Sequence, residues 1–268
     1  MRKFWLTSQR STDFHLDLME KDAFASSPSG LGVTINTELY RFGTDTLTVN
    51  ETVEYKNIEY DMIFGYESED PYLAFENFVK KLKIGKFILH YSPRDGVEYH
   101  RTVKFNSIDK GEIENSYNYL KAGISFTPLT PWYTWERMTN YSGSKMTLNT
   151  ENSMLLSENR TLPVKIEFNL KEYSNEIKIQ VFKKGDTTPI FTSHFNKAFI
   201  SGSKLEYNSD YMDLKASCAG TDLFRFITTG SNSIARCPCD GEEYEITVNG
   251  QAIDENDSFY VRQEVVVV

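Results

Sequence analysis

Alternation of apolar and polar side chains at every second residue constrains this chain most, because that period buries one face of a β-strand. It is clearest over residues 164–170, where Val, Ile, Phe and Leu alternate with Lys, Glu and Asn. The same period recurs in both halves of the chain, over 60–64, 97–105, 120–126, 177–181 and 244–248. Turn dipeptides such as Asp240-Gly241 and Asn249-Gly250 separate such segments. The pattern therefore predicts a mainly β protein.

Two local features complete this reading of the elements. Lys3–Leu6 and Phe14–Leu18 predict an N-terminal hairpin that turns through Ser8–Ser11. Asp70–Leu82 predicts a single helix, in which Asp70 suits the N-cap and a proline follows at the first helical position. The apolar stripe predicted for this helix consists of Tyr72, Phe75, Val79 and Leu82, with Phe78 beside it.

The length of 268 residues is sufficient for two domains of ordinary size. Pro128, Pro131 and the aromatic cluster Trp132–Trp135 close the first set of strands. The following segment, 136–162, is polar and is interpreted as a linker or long loop with at most one edge strand. We place the domains at 1–135 and 136–268.

Charge and hydropathy exclude some classes of function. The formal net charge is −9, which disfavours binding to a phosphate backbone. The longest clean apolar run is Val265–Val268, much shorter than the roughly 18 residues of a membrane span. We therefore expect a soluble protein that is made and kept in the cytoplasm unless a larger assembly carries it out.

Enzyme motifs are missing from the sequence. There is no Gly-x-Ser-x-Gly, no phosphate loop and no dinucleotide fingerprint. His90 and His100 are predicted to be cross-strand neighbours in a hairpin around 93–96, but a half-exposed histidine on a strand is commonplace. The acidic residues of 240–257 fit solvated turns better than a cation site. We therefore predict no catalytic, cofactor-binding or metal-ligating residues.

The cysteines and tryptophans have structural interpretations. Cys218, Cys237 and Cys239 are an odd set, and one residue separates the last two, so free thiols are expected rather than disulfides or a zinc site. The cluster Trp132-Tyr133-x-Trp135 could be a sugar-stacking platform, but large amphipathic rings also suit the seam between two domains. We favour the seam and keep the sugar platform as the alternative.

The order of these features resembles the distal tail protein family of long-tailed phages that infect Gram-positive bacteria. The segments that carry the resemblance are the hairpin Phe4–Leu6 with Leu16–Leu18, the turn Ser27–Gly32, strands through Ile58–Phe64, the helix Pro71–Leu82, strands Phe87–Tyr91, Val97–Phe105 and Leu120–Phe126, and the segment Lys110–Ile113. The closing phrase Phe-Thr-Pro-Leu-Thr-Pro-Trp-Tyr at 126–133 is the most suggestive segment. The region Leu205–Asp210 is similar to the galectin-like sandwich that follows in the family.

The resemblance implies a fold and a role. Residues 1–135 would be a β-sandwich-like belt domain with one α-helix, and 136–268 a galectin-like β-sandwich. The belt domains would form a ring, hexameric in members of the family, that joins the tail-tube protein to the tail-associated hub protein. The second domain would dock baseplate or receptor-binding proteins. The implied location is the virion tail tip, and the host cytoplasm during assembly.

The resemblance implies neither catalysis nor a cofactor. It also implies that DNA passes through the lumen without specific binding, and we expect part of the negative charge to face that lumen and repel it. The main alternative is a carbohydrate-binding or receptor-binding tail-tip protein that recognises cell-wall polysaccharide through the C-terminal domain. A glycan hydrolase is a weaker alternative, for which the sequence names no carboxylates.

Overall fold

The computed structural model describes residues 2–8, 14–20, 22–32, 34–42, 45–65, 70–82, 85–113, 118–149, 157–211, 213–228 and 234–265. Within these ranges the chain folds into two compact units. The first unit runs to Tyr133 and includes Val265, and the second unit is Thr134–Glu264. The sequence-based boundary, after residue 135, lies two residues from this division.

The first unit consists of β-strands and one α-helix. In chain order its elements are β1 (Lys3–Ser8), β2 (His15–Asp17), β3 (Met19–Glu20), β4 (Ala23–Ser29), β5 (Thr34–Phe42), β6 (Asp45–Glu54), β7 (Ile58–Phe64), α1 (Pro71–Leu82), β8 (Lys86–Arg94), β9 (Val97–Ile113), β10 (Leu120–Pro128) and β11 (Trp132–Met138), whose last residues belong to the second unit.

Strand β9 organises the first unit. It is 17 residues long and pairs with β8 along its first half and with β10 along its second half. On one side the antiparallel order is β2-β1-β8-β9, and on the other it is β9-β10-β7-β4-β3. The pairing of β1 with β2 confirms the predicted N-terminal hairpin, whose turn beyond Ser8 lies outside the described residues.

The core of the first unit is built from the alternating faces of these strands. The predicted faces at 60–64 and 120–126 are confirmed, since their apolar residues are all buried. The buried residues with the largest side chains include Phe4, Tyr60, Phe64, Phe87, Phe126 and Trp132. Because the phenol of Tyr60 is fully enclosed, burial raises its pKa well above the usual range.

Helix α1 covers this core through part of the predicted stripe, since Leu82 is buried and Phe75 packs edge-on against Phe64. Asp70 caps it as expected, since its Oδ1 accepts from the N–H groups of Tyr72 and Leu73 at 3.0 and 3.1 Å. The buried residues are Pro71, Phe78 and Leu82, and Phe78 packs edge-on against Phe64. Tyr72 was wrongly placed in the stripe: it is 38% exposed, and Lys110 Nζ lies 4.4 Å from its ring centroid.

The second unit is a two-sheet sandwich. Its further elements are β12 (Tyr141–Ser142), β13 (Lys145–Asn149), β14 (Ser157–Leu162), β15 (Val164–Asn169), β16 (Ile177–Lys183), β17 (Phe191–Phe195), β18 (Lys204–Asn208), β19 (Lys215–Cys218), β20 (Thr221–Asp222), a 3₁₀ turn (Leu223–Phe226), β21 (Cys237–Cys239), β22 (Glu243–Val248) and β23 (Ser258–Val265). One sheet has the order β20-β19-β18-β15-β23 and the other β12-β13-β22-β16-β17, while β14 pairs with β21.

Both sheets contribute alternate residues to one core, as in sandwiches generally. The interpretation of 136–162 as a linker or long loop was wrong for the described part of it. Strand β13 pairs with β22 inside the sheet and buries Met146 and Leu148. The alternation of this strand covers only two apolar residues, which is why the polar composition around it dominated the sequence-based interpretation.

The mainly β prediction is confirmed: the described residues form antiparallel sheets, with α1 as their α-helix. No helix within the described ranges combines the length and the apolar composition that crossing a bilayer requires.

Candidate functional site

The long hairpin formed by β5 and β6 is the most unusual element of the first unit. The two strands pair from Thr34↔Glu54 to Phe42↔Asp45, with one irregularity after Glu38. Within the described residues they form a sheet of their own. An isolated two-stranded hairpin is at best marginally stable in water, and its outer edges carry unpaired N–H and C=O groups. Strand edges of this kind can pair with another chain.

A second feature is a row of aromatic and histidine rings across β1, β8 and β9. The strand registers place Trp5 opposite His90, and His90 opposite His100, which confirms the predicted cross-strand neighbours. The ring of Trp5 stacks on His90 with centroids 4.9 Å apart. The His100 ring lies edge-on to His90 and contacts Tyr133 at 5.5 Å. This face is thus ordered by ring contacts between neighbouring strands.

Glu98 joins the two histidines. Its Oε1 lies 2.8 Å from Nδ1 of His90 and 3.5 Å from Nδ1 of His100, and the two Nδ1 atoms are 3.1 Å apart. The other ring nitrogen of His90, Nε2, lies 2.7 Å from Oγ1 of Thr7. Burial, and to a lesser extent His15, lowers the pKa of His90 to about 4, so that its imidazole is neutral at pH 7.

Among the described residues, His90, Glu98 and His100 form the one group of three or more His, Cys, Asp or Glu side chains whose donor atoms converge, all within 4.8 Å. Sequence analysis named both histidines and missed Glu98. A signal was available, because Glu98 stands two residues before His100 and therefore shares its face of the strand.

Trp132 is part of the core of the first unit. It is 0% exposed, and its Nε1–H donates to the carbonyl oxygen of Leu31 at 2.7 Å. Its ring contacts Tyr91, and the guanidinium of Arg101 lies 5.4 Å from its centroid. A fully buried indole presents no face to a sugar, so the alternative of a sugar platform at Trp132 was wrong. Trp135 is half-buried.

The acidic segment 240–257 has structural roles. Asp257 is buried and accepts hydrogen bonds from the N–H groups of Asn169 and Asp254, at 2.9 and 3.0 Å. Lys171 Nζ pairs with both aspartates, at 2.9 Å from Asp257 and 2.7 Å from Asp254. The interpretation of these residues as solvated turns was wrong for Asp257, which ties β15 to the β22–β23 connection.

The remaining candidates in the second unit are also structural. His194 Nε2 lies 2.6 Å from Glu176, and its Nδ1 lies 3.1 Å from the hydroxyl of Thr228. A carboxylate, an imidazole and a hydroxyl group in contact resemble a hydrolase triad. However, Lys178 pairs with the same carboxylate. The backbone N–H of Thr228 donates to the backbone oxygen of His194 at 3.0 Å. The chain of contacts therefore tethers β17 to the segment after the 3₁₀ turn. Within the described residues the three cysteines are buried and form no disulfide bond.

Comparison with known proteins identifies a matching family and similar folds. Residues 3–129 match the distal tail protein N-terminal domain family. The whole fold is similar to a chain of the phage p2 baseplate in its activated conformation with Sr, with a TM-score of 0.74 at 14% identity over 100% of both chains. The same baseplate with Ca gives a TM-score of 0.73 at 14% identity, again over 100% of both chains.

A third similar structure is the SPP1 Dit protein, described as a paradigm of the hub adsorption apparatus in phages that infect Gram-positive bacteria. Its TM-score is 0.57 at 10% identity, over 98% of this chain and 99% of that chain. No curated protein sequence matches this chain. The family match covers the first unit and the fold similarity covers both units, which confirms the resemblance seen in the sequence. Residues 3–129 are therefore identified as a distal tail protein N-terminal domain, and the chain as a whole has the fold of these phage baseplate and Dit proteins.

Proposed function

We propose that this protein forms a ring, most simply a hexamer, at the end of a phage or prophage tail. The N-terminal domain, 1–135, would make the ring and join the tail-tube protein to the tail-associated hub protein. The C-terminal domain, 136–268, would be a galectin-like outward platform for baseplate or receptor-binding proteins. The role is structural and non-catalytic, at the virion tail tip after assembly in the host cytoplasm.

The β5–β6 hairpin is the observation that carries this proposal. A ring built head to tail needs two different surfaces that meet between neighbouring copies. A hairpin of about ten residues per strand, paired in the described chain only with itself, supplies one such surface. Pairing with a neighbour would add the strands or packed face that a two-stranded unit lacks, and would cover its exposed edges.

The charge of the chain supports the passage of DNA through such a ring. A net charge of −9 per copy repels a polyanion, so a lumen that carries part of this charge would let DNA pass without retaining it. A lumen lined mainly by Lys and Arg would contradict this part of the proposal.

The test compares the full chain with a variant in which residues 34–54 are replaced by a short Gly-Ser turn. The matched control replaces the 184–190 loop of the second unit in the same way. Both are purified, alone and co-expressed with the adjacent tail proteins, and are examined by negative-stain microscopy and light scattering. Wild type and control should form six-fold rings with a central hole, while the hairpin variant should remain monomeric and folded, with a β circular dichroism signal reduced only by the loss of the two deleted strands.

Two outcomes count against the proposal. Rings formed by the hairpin variant would remove the assigned contact. Monomeric wild-type protein, even in the presence of its neighbouring tail proteins, would remove the ring itself.

A further inference from the structure

Two imidazoles and one carboxylate meet on the β8–β9 hairpin of the first unit. Their nearest donor atoms are Nδ1 of His90, Nδ1 of His100 and Oε1 of Glu98, with separations of 2.8, 3.1 and 3.5 Å. We propose that these three residues bind a divalent transition-metal ion, and that Zn²⁺ is the ion that the site fits.

The distances match the size of a tetrahedral zinc site. With Zn–N and Zn–O bonds of about 2.0–2.1 Å, ligand atoms in a tetrahedron lie about 3.3–3.4 Å apart. Each observed separation is within roughly half an ångström of that value, so small side-chain rotations would give the complete geometry. His90 and His100 stand directly opposite each other in the strand register, which keeps both rings on one face.

The surroundings of His90 hold its ring in a ligating orientation. Trp5 stacks on one side of the ring with an interplanar angle of 13°. Thr7 Oγ1 lies 2.7 Å from Nε2, so when Nδ1 gives its electron pair to the metal, the ring proton moves to Nε2 and is donated to the hydroxyl oxygen. Such an outer hydrogen bond to the second ring nitrogen is a common feature of metal-binding histidines.

The donor set also selects the ion. Imidazole nitrogens suit Zn²⁺ and related ions, whereas Ca²⁺ and Mg²⁺ require sites dominated by oxygen. The His90 and His100 side chains are 13% and 17% exposed, and Glu98 is 45% exposed, so an ion can enter from solvent. Three protein ligands leave the fourth tetrahedral position to a water molecule or to a group from a neighbouring protein.

The test titrates tag-free, chelator-stripped full-length protein with ZnCl₂ in a calorimeter. One Zn²⁺ should bind per chain, and Ca²⁺ should not compete. His100→Ala and Glu98→Gln each remove one donor atom and should weaken binding at least about tenfold, and Thr7→Val should weaken it through loss of the outer hydrogen bond. Circular dichroism melts confirm that each variant is folded, and Glu98→Gln preserves the shape of the side chain should His100→Ala fail to fold.

The matched control is His194→Ala, which removes a histidine that also contacts a glutamate but lies in the second unit. It should bind Zn²⁺ like wild type. The proposal is wrong if wild type shows no saturable binding of one ion per chain, or if Glu98→Gln binds as tightly as wild type. In that event the three residues form a hydrogen-bonded network only.

Discussion

Replacement of Trp132 by Phe tests the assignment of this residue to the core of the first unit. The substitution keeps a buried aromatic ring but removes the indole N–H that donates to the carbonyl oxygen of Leu31 at 2.7 Å. That oxygen loses its partner in a part-buried hydrogen bond, which costs about 1–3 kcal/mol. The smaller ring leaves unfilled volume beside Tyr91, which adds about 1 kcal/mol.

We therefore expect the first unit to lose about 2–4 kcal/mol of its free energy of unfolding. For a domain of this size the melting temperature should fall by roughly 5–15 °C. Differential scanning calorimetry of the full chain, with far-ultraviolet circular dichroism in urea, measures this loss. Because the chain has two compact units, only the transition of the first unit should move.

The matched control is Trp135→Phe, the same chemical change at a half-buried position in the second unit. It should leave the transition of the first unit in place. A Trp132→Phe protein that melts like wild type would refute the core assignment. Loss of binding to cell-wall polysaccharide without a change in melting would instead support the rejected sugar platform.

Two further predictions concern the helix and the charged surface. Phe78→Ala should destabilise the first unit by about 3–5 kcal/mol because Phe78 is the buried centre of α1, whereas Tyr72→Ala should cost less than about 1 kcal/mol, and urea denaturation distinguishes the two. Lys215, whose Nζ lies 2.6 Å from Glu206, lowers the pKa of that carboxyl. The ionised pair stabilises the second unit above the ordinary glutamate pKa, and this contribution is lost as the pH falls through the lowered value, so Lys215→Met should flatten the loss of melting temperature between about pH 5 and pH 3. An unchanged pH profile in Lys215→Met, or equal losses in the two helix variants, would contradict these assignments.

The alternation of apolar and polar residues identified strands that bury one face in a core, but the β5–β6 hairpin was missed. β10 and β15 were predictable because the segments 120–126 and 164–170 each alternate over seven residues against a core. The β5–β6 hairpin was not predicted, although Leu47, Val49 and Val53 stand at alternate positions of β6. Within the described residues it forms a sheet of its own. The helix was located correctly, and its stripe only in part. Phe75 and Phe78 both contact Phe64, whereas Tyr72 is exposed.

The site was predictable only in part. A hairpin between His90 and His100 follows from the turn residues between them, and the structure has that pairing. Their exact alignment also depends on a register shift between Tyr91 and Arg94, which no local signal in the sequence reveals. The contact of Glu98 with His90 could not be predicted without that alignment, because it crosses from one strand to the other. Its contact with His100 lies along its own strand.

The length of β9 has a mechanical consequence. Its 17 residues form one continuous strand, which pairs with β8 along its first half and with β10 along its second half. A load applied to either group of strands is therefore carried to the other through covalent bonds of one backbone, while rows of hydrogen bonds on both flanks resist sliding. The two groups of strands therefore behave as one mechanically continuous unit under tension.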